Sequence, residues 1–333
     1  MRAVVLRSAY GIENLEVIEK PDPEPGPGQI VVDIKAATLN YRDLATVTAP
    51  SGRTPFVPCS DGGGAVSAIG EGVTRVKVGD HVAPLFFQDW LAGDPTPSAL
   101  AGALGGTLDG VLQEKVLLNE WGVTAVPAGY TDEEAATLPC AALTAWRGLV
   151  VQGQVKSGDI VVVQGTGGVS IFALQFAKAA GAIVIVTSSS DEKLERAKAL
   201  GANHFINYRS TPDWAKEVRR ITDKRGADHV IEVGGAGTFE QSLSAIRLGG
   251  KIAVIGILGG FVKDLNVAAI FRSNAFIHGV TVGSRDHFES MTRAIEANGI
   301  KPVIDSRFTL DGCRDAFEHM KAGAHFGKIV VTV

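Results

Sequence analysis

The chain has 333 residues, of which 45% are hydrophobic and 20% charged, and its formal net charge is −4. This length and composition are typical of a globular protein of two domains, and an acidic chain without a run of lysine or arginine disfavours nucleic acid and anionic membranes as partners. No apolar stretch is long enough to span a bilayer, and three scattered cysteines support neither a disulfide framework nor a zinc ribbon, so a reducing cytoplasm is the expected location.

The first third of the chain alternates turn residues with short branched apolar runs. A proline- and glycine-rich segment, 21–28, leads into an apolar run over 30–35, and further turns lie near residues 70 and 79. This alternation predicts a small β-rich domain. Downstream, Thr131 and Glu134 form a capping-box pattern that predicts the start of a helix, and a second helix is predicted over 141–150.

The most informative stretch runs from residue 159 to residue 190. A branched apolar run ends at Gly165, an amphipathic helical pattern follows, and a second branched run begins at Ile183, which predicts strand, phosphate loop, helix and strand. Gly165 permits the tight turn, and Gly167 lets backbone N–H groups approach a pyrophosphate at the positive helix end. Ser170 replaces the third glycine, which predicts looser packing of helix on strand. The predicted dinucleotide-binding loop consists of Gly165, Thr166, Gly167, Gly168 and Val169.

The residues after the second strand favour NADPH over NADH. The strand end has Ser188 and Ser189, within a run of hydroxyl residues, in place of the carboxylate that would hold a ribose 2′-hydroxyl. Asp191 and Glu192 follow one step later, where they are expected to charge the first turn of the next helix. The hydroxyls and Lys193 suit a 2′-phosphate, with the lysine as a point charge. The alternative is a serine-rich helix cap beside a solvated lysine.

Strands and helices alternate through the rest of this region, which predicts a doubly wound parallel sheet of the α/β class. The predicted strands are 205–207, 229–233, 252–256 and 276–282, and the predicted helices are 214–222 and 239–248. Open α/β sheets bind ligands at the carboxyl ends of their strands, so residues there are expected to border the nicotinamide. These residues are Val233, Gly234, Ile255, Gly256, Gly283 and Ser284. The last fifty residues look like a return to the first domain.

Six motifs, in the order found here, carry a resemblance to a known family. They are Pro25-Gly26-Pro27-Gly28, Leu39-Asn40-Tyr41-Arg42-Asp43, Gly79-Asp80-His81-Val82, the run from Ala136 to Ala145, the loop at Gly165 and Ile206-Asn207-Tyr208. The set resembles the medium-chain dehydrogenase/reductase superfamily, and within it the zinc-independent quinone oxidoreductase-like branch, often labelled zinc-type alcohol dehydrogenase-like. The resemblance implies a GroES-like catalytic domain over 1–125 and 290–333, a Rossmann domain over 126–289, and a cleft that holds nicotinamide and substrate.

The resemblance also allows a test for metal. It places Asn40 where zinc-dependent members have a cysteine ligand and Ser60 where they have a histidine, and only Cys140 matches a ligand position. One thiolate cannot form the three-ligand site of a catalytic zinc. The four-cysteine structural zinc lobe is replaced by an aromatic and Gly-, Ala- and Pro-rich stretch over 86–110. No bound metal is therefore expected.

Further site residues follow from the same resemblance. It places Asn40 and Tyr41 at the nicotinamide, with Asn40 as a hydrogen-bond partner of substrate or ribose and Tyr41 as a candidate proton donor. An aromatic ring that only packs under the cofactor is the alternative for Tyr41, since a phenol with a pKa of about 10 is a poor base. Thr144 matches a nicotinamide contact, and Lys193 and Tyr208 match residues that hold the 2′-phosphate in NADPH-using relatives.

These features predict an NADPH-dependent reductase that delivers hydride to a quinone or to an α,β-unsaturated ketone or aldehyde without catalytic zinc. Conjugation matters because it spreads the charge that a metal would otherwise neutralise. A zinc-free alcohol dehydrogenase or carbonyl reductase on the same site is one alternative. A slow NADPH-binding protein with a structural or sensing role is another.

The segment 275–283 is predicted to be the last strand of the Rossmann sheet, and hence an edge with unpaired N–H and C=O groups. It carries no formal charge that would oppose pairing with a second copy. A twofold homodimer is expected, as the resemblance also implies. A Val280→Pro change is expected to weaken the dimer by removing a ladder N–H.

Overall fold

The computed structural model describes residues 1–7, 9–49, 54–261 and 264–333. The contacts among these residues divide the chain into two compact units. The first unit contains Met1–Leu143 and Val282–Val333, and the second contains Thr144–Thr281. The predicted fold class, a β-rich domain and a parallel-sheet domain, is confirmed.

The strands are β1 (Arg2–Leu6), β2 (Leu15–Glu19), β3 (Gln29–Thr38), β4 (Asp61–Ile69), β5 (His81–Pro84), β6 (Lys115–Asn119), β7 (Val123–Ala125), β8 (Ile160–Gln164), β9 (Ile183–Ser188), β10 (His204–Asn207), β11 (Ala227–Glu232), β12 (Ile246–Val254), β13 (Phe276–Gly279), β14 (Ile304–Thr309) and β15 (Lys328–Thr332). The α-helices are α1 (Tyr41–Thr48), α2 (Pro97–Ala101), α3 (Asp132–Ala136), α4 (Leu143–Trp146), α5 (Gly168–Ala179), α6 (Asp191–Ala199), α7 (Trp214–Ile221), α8 (Phe239–Ala245), α9 (Val267–Ser273), α10 (Arg285–Asn298) and α11 (Cys313–Lys321). Within the described ranges, no helix is long and apolar enough to cross a membrane.

The first unit is built on a seven-stranded sheet whose path runs β14–β15–β3–β4–β5–β7, and β6 also pairs with β3. Apolar side chains of β3, such as Ile30, Val32 and Ile34, are buried in its core. The strand β15 lies antiparallel to β3, and its Val330 pairs with Thr38. Because of this register, Lys328, the first residue of β15, lies level with Asn40, the residue just before α1.

The second unit is built on a parallel sheet with the strand order β10–β9–β8–β11–β12–β13. This is the order of a doubly wound dinucleotide-binding sheet, and the winding direction reverses between β8 and β11. Branched residues of adjacent strands, including Val162, Ile185, Val230 and Ile252, form its core. The carboxyl ends of these strands therefore meet at one edge of the sheet, where the predicted loop lies.

Several element boundaries differ from the prediction, and two of them, at the ends of α8 and β13, have a clear backbone cause. The helix predicted to end at residue 248 ends at Ala245, because the backbone becomes extended at Ile246, and β12 begins there with a register shift. The predicted last strand of the second unit ends at Gly279, and Val282 takes a left-handed φ of 53° that extended backbone does not allow.

The two units also begin and end at other residues than the predicted domains, whose boundaries were 125/126 and 289/290. Helix α3 lies against β4, where a Cβ on Gly63 would stand only 2.3 Å from the carbonyl oxygen of Asp132. That close approach keeps the segment 126–143 with the first unit. At the second boundary, the backbone N–H groups of Arg285 and Asp286 donate to the carbonyls of Trp90 and Leu91.

The stretch 86–110, whose conformation the sequence did not predict, is ordered around one aromatic side chain. Trp90 is fully buried, lies near Phe87 and His287, and donates from its indole N–H to the carbonyl of Gly93. The short helix α2 follows, capped by the Thr96 hydroxyl. Through the contact of Trp90 with His287, this aromatic cluster packs the stretch against the C-terminal part of the first unit.

Candidate active site

The predicted dinucleotide loop joins β8 to α5. Gly165 has a φ of 73°, in the left-handed region that favours glycine, and Gly167 is the N-cap of α5. Since Gly167 has no side chain, it cannot cap the first N–H groups of the twelve-residue helix, and the first turn contains no acidic residue. The start of α5 therefore has N–H groups that the N-cap side chain does not cap, together with a positive dipole end, and helix starts of this kind bind a pyrophosphate.

Ser170 stands where a third glycine was expected. Its side chain is buried, and its hydroxyl donates to the carbonyl of Gln164 at 2.7 Å. The hydroxyl thus occupies the space between the end of β8 and the first turn of α5 and satisfies a backbone acceptor there. A hydrogen bond therefore joins helix α5 to strand β8 at the position where the sequence predicted looser packing.

The serine run after β9 is partly used by the backbone. The Ser188 hydroxyl accepts from the N–H of Ser190 at 3.2 Å, and the Ser190 hydroxyl caps α6 by accepting from the N–H of Lys193 at 3.3 Å. Tyr208 is held beside the same strand end, because its N–H donates to the carbonyl of Ser188 at 3.0 Å. The structure therefore brings the predicted residues Ser188, Ser189, Lys193 and Tyr208 together at the ends of β9 and β10.

The acidic residues that follow lie at the start of the next helix. Asp191 and Glu192 lie in the first turn of α6, as expected from the sequence. The Asp191 carboxylate accepts from the Asn207 side-chain amide at 2.7 Å. This arrangement agrees with their predicted role at the helix start.

The predicted loops after β11 and β12 are organised by a glutamate that the sequence analysis missed. Glu232, the last residue of β11, is fully buried. One carboxylate oxygen accepts from the N–H groups of Gly234 and Gly235 and from the Thr238 hydroxyl. The other accepts from the side chains of Gln164 and Ser242. A carboxylate directly after the apolar pair Val230 and Ile231 was the available signal in the sequence.

The neighbouring loop is tied to the same strand end. The N–H groups of Ile255 and Gly256 donate to the backbone carbonyl of Glu232, and a Cβ on Gly256 would stand 2.6 Å from the carbonyl oxygen of Val233. The predicted residues Val233, Gly234, Ile255 and Gly256 are therefore brought together at the carboxyl ends of the neighbouring strands β11 and β12. Thr144, another predicted contact, is buried at the beginning of the second unit.

The remaining predicted residues belong to the first unit. Gly283 packs on Leu143, since a Cβ there would stand 2.9 Å from the leucine Cγ. Ser284 is buried and caps α10, with its hydroxyl accepting from the N–H of His287 at 3.3 Å. Tyr41 begins α1 and is 53% exposed. Their predicted contacts with nicotinamide stay predictions.

A buried polar cluster lies at the start of α1. Asn40 is the N-cap of this helix, and its N–H donates to the Asp43 carboxylate at 2.8 Å. Lys328, which is 2% exposed, donates from Nζ to the carbonyl of Leu39 at 2.8 Å and to Asn40 Oδ1 at 2.7 Å. Its Nζ also lies 3.9 Å from Asp61. The cluster thus places a buried ammonium between an amide and a carboxylate.

Asp61 connects the cluster to two other positions of interest. Its carboxylate accepts from the Ser60 hydroxyl at 2.6 Å and from the backbone N–H of Cys140 at 3.0 Å. Cys140 itself is half-buried, whereas Cys59 and Cys313 are buried. Burial, the largest influence, raises the pKa of the Cys140 thiol far above its ordinary value, and Asp61 raises it further.

The chemistry of this cluster does not fit a zinc ion. A catalytic zinc needs three ligands from thiolate, imidazole or carboxylate groups. The positions in question hold an amide, a hydroxyl and a thiol whose raised pKa opposes the thiolate, and the ammonium of Lys328 repels a second cation. Among the described residues, no group of three or more His, Cys, Asp and Glu side chains could hold a metal.

Asp43→Asn is expected to change the pH dependence of stability. Burial raises the pKa of Asp43 to about 6. The positive charge of Arg42 lowers this pKa, and the negative charge of Asp61 raises it. Because the pKa is higher in the folded state than in the unfolded state, the folded protein binds the proton more tightly. The protonated carboxyl therefore contributes stability at low pH, and this contribution is lost as pH rises from about 4 to about 6. The free energy of unfolding of the unmodified protein, minus that of the variant, should fall by about 2 to 3 kcal/mol across this range.

Denaturant unfolding at a series of pH values measures this difference. Asp94→Asn, at an exposed position, is the matched control and should leave the difference constant. If the free energy of unfolding changed with pH in the same way in the unmodified protein and in Asp43→Asn, the buried carboxyl would keep an ordinary pKa.

Two protein-family models match the chain. The model described as alcohol dehydrogenase GroES-like domain matches residues 26–128. The model described as zinc-binding dehydrogenase matches residues 168–297. The first match lies within the first unit, whereas the second extends from the glycine loop through most of α10.

Two curated proteins align over nearly the whole chain. A zinc-type alcohol dehydrogenase-like protein from Schizosaccharomyces pombe is 45% identical and covers 100% of this chain and 99% of its own. An acryloyl-coenzyme A reductase from Sulfurisphaera tokodaii is 28% identical and covers 99% of each chain.

Solved structures show the same likeness. An NAD-dependent alcohol dehydrogenase superimposes with a TM-score of 0.91 at 38% identity, covering 100% of both chains. A quinone oxidoreductase from Pseudomonas syringae has a TM-score of 0.85 at 29% identity, covering 100% of this chain and 99% of the other. A mycobacterial protein complexed with NADPH has a TM-score of 0.84 at 25% identity, covering 100% of both.

Proposed function

The chain belongs to the medium-chain dehydrogenase/reductase superfamily of oxidoreductases, and from this premise we propose that it reduces quinones or α,β-unsaturated carbonyl compounds with NADPH and without catalytic zinc. The observation that carries the proposal is the buried cluster at the start of α1. It has the ammonium of Lys328 beside Asn40, where zinc-dependent members of the superfamily have a metal ligand.

The absence of a Lewis acid limits the acceptors that can be reduced. Hydride addition places negative charge on an oxygen, and that charge has to be stabilised by hydrogen bonds or spread by conjugation. Quinones and enones spread it within the substrate, whereas a saturated carbonyl does not. Two similar proteins are named as a quinone oxidoreductase and an acryloyl-coenzyme A reductase, and these names support acceptors of this kind.

When bound, NADPH supplies the hydride. The backbone N–H groups at the start of α5 would hold its pyrophosphate, and Ser189, Lys193 and Tyr208 would surround its 2′-phosphate. Asn40 would donate a hydrogen bond to the substrate oxygen, and Tyr41 or water would supply the proton. The lack of a carboxylate directed at a ribose 2′-hydroxyl supports NADPH, since Asp191 is bound to Asn207.

A spectroscopic assay of reduced-nicotinamide oxidation tests the proposal with matched acceptors. Benzoquinone, cyclohexenone and crotonaldehyde should be reduced, and cyclohexenone and crotonaldehyde should exceed cyclohexanone and butanal by at least about tenfold in kcat/KM. Elemental analysis should find far less than one zinc per chain, and chelators should leave activity unchanged. Stoichiometric zinc whose removal abolishes turnover would refute the zinc-free mechanism.

The same assay separates the alternatives. Several similar proteins are named alcohol dehydrogenases. Comparable turnover of butanal and crotonaldehyde would therefore favour a zinc-free alcohol dehydrogenase or carbonyl reductase. Tight NADPH binding with only trace turnover of every acceptor would favour a structural or sensing role.

We also propose that two copies pair through β13, which is the last strand of the sheet in the second unit. Phe276, on this strand, is 64% exposed, and the chain just before the strand exposes Phe261 and Phe271 at 77% and 80%. Burial lowers the pKa of His278, so the strand is uncharged at neutral pH. An apolar, uncharged edge is suited to an isologous contact.

The structure corrects the substitution that would test this pairing. The N–H of Val280 donates to the carbonyl of Val254 within the same sheet, so Val280→Pro would break an intrachain bond. Because N–H directions alternate along a strand, the N–H of Ile277 faces the open edge. Ile277→Pro is expected to weaken the dimer at least tenfold while the fold persists. Sedimentation should show a dimer of the 34.9 kDa chain, and a monomer of the unmodified protein at micromolar concentration would refute pairing.

A further inference from the structure

The buried ammonium of Lys328 constrains the side chain of Asn40. An ammonium group has three donors and no acceptor, so it can face only the oxygen of an amide. The 2.7 Å contact from Nζ to Asn40 therefore fixes the amide orientation, with Oδ1 toward the lysine and Nδ2 on the other side. This assignment rests on chemistry, because the two ends of an amide have nearly the same shape.

The Nδ2 group of Asn40 is left without a partner. It is buried, on a residue that is 9% exposed, and no described residue accepts a hydrogen bond from it. A buried donor without an acceptor costs about 1 to 3 kcal/mol in other proteins, so such a group is expected to meet an acceptor in the functional state. A ligand oxygen is an acceptor of the required kind.

The backbone of Asn40 is held as firmly as its side chain. Its N–H donates to the Asp43 carboxylate at 2.8 Å, and its carbonyl accepts from the N–H of Asp43 at 2.9 Å. Lys328 reaches the site because β15 is antiparallel to β3 in a register that pairs Val330 with Thr38. The direction of Nδ2 is therefore set by two strands and a helix start.

We infer that Lys328 is a positioning residue that holds and polarises the Asn40 amide, so that Nδ2 donates to the substrate oxygen on which negative charge develops. A positive charge at Oδ1 draws electrons from the amide nitrogen and strengthens its N–H as a donor. The benefit grows as the substrate oxygen becomes negative, so it is larger in the transition state than in the ground state. The inference rests on the proposed function.

Three single variants, Asn40→Asp, Lys328→Met and Asn40→Leu, and one double variant test it by kinetics. Asn40→Asp keeps an acceptor for Lys328 but removes the Nδ2 donor, and it should lower kcat with cyclohexenone by about 100-fold. Lys328→Met should lower kcat by about tenfold, with the KM for NADPH unchanged in both. If Lys328 acts through Asn40, adding Lys328→Met to Asn40→Leu should cause no further loss. Lys77→Met, at an exposed lysine of the same unit, is the control and should keep full activity.

The NMR spectrum of the Asn40 side-chain amide provides a readout that does not depend on turnover. In protein labelled with ¹⁵N-asparagine, the side-chain NH₂ pair missing from Asn40→Asp belongs to Asn40. The chemical shifts of that NH₂ pair should change in Lys328→Met and should stay the same in Lys77→Met. An unchanged pair in Lys328→Met, or kinetic losses that multiply in the double variant, would overturn the inference. If no acceptor is reduced, the proposed function fails, while the NH₂ pair still decides whether Lys328 orients Asn40.

Discussion

Glu232→Ala is expected to lower the free energy of unfolding by about 3 to 5 kcal/mol, among the largest effects of any single substitution in this chain. The fully buried carboxylate accepts from five donors, so its removal leaves two backbone N–H groups and the side chains of Gln164, Thr238 and Ser242 without that acceptor. Each unsatisfied buried donor is costly, and a small side chain also leaves a cavity.

Denaturant unfolding followed by circular dichroism measures this loss. Glu232→Gln preserves shape and one acceptor oxygen but places an NH₂ against the Gln164 amide, so we expect a smaller loss of about 1 to 2 kcal/mol. Glu240→Ala, at an exposed position of α8, is the control and should change stability by less than about 0.5 kcal/mol. Equal stability of Glu232→Ala and Glu240→Ala would show that the five hydrogen bonds contribute nothing net.

Lys193→Ala is expected to weaken NADPH binding by about 1 to 3 kcal/mol, or roughly 5- to 150-fold, and NADH binding far less. Lys193 lies in the first turn of α6, whose cap Ser190 follows the strand end where Tyr208 is also held. A 2′-phosphate at this strand end would face the lysine, whereas NADH has only a hydroxyl there.

Fluorescence titration with both reduced cofactors measures the difference. Lys198→Ala removes an exposed lysine from the same helix, where it pairs with Glu195, and should affect neither cofactor. Equal losses for NADPH and NADH in Lys193→Ala would show that this lysine is only a surface charge. A preference of the unmodified protein for NADH would refute the proposed cofactor choice.

The sequence was most informative where local pattern determines structure. The glycine loop, the helix after it and the parallel strands are recognisable because a period of two or 3.6 residues and a left-handed glycine are properties of adjacent residues. The residues predicted from strand ends, such as Val233 and Gly256, do come together, because a doubly wound sheet brings its carboxyl ends to one edge.

Long-range pairing explains what was missed. The sequence analysis did not single out Lys328, and only the register of β15 on β3 places it beside Asn40, 288 residues away. Glu232 likewise gathers donors from β8 and α8 that no local pattern connects. The end of α8 was misplaced because β12 begins at Ile246, before its apolar run, and pairs with β11 through a register shift between Ala227 and His229.

All three cysteines belong to the first unit, and this gives the chain a built-in chemical reporter. Burial raises the pKa of Cys313 to about 11 and also raises the pKa values of Cys59 and Cys140, so little thiolate exists in the folded state at neutral pH. The rate at which iodoacetamide alkylates the buried Cys59 and Cys313 therefore follows local opening of the first unit, whereas Thr144–Thr281, which has no thiol, contributes nothing to the signal. Opening of the two units can thus be timed separately in one unmodified protein, by thiol alkylation for the first and by amide hydrogen exchange for the second.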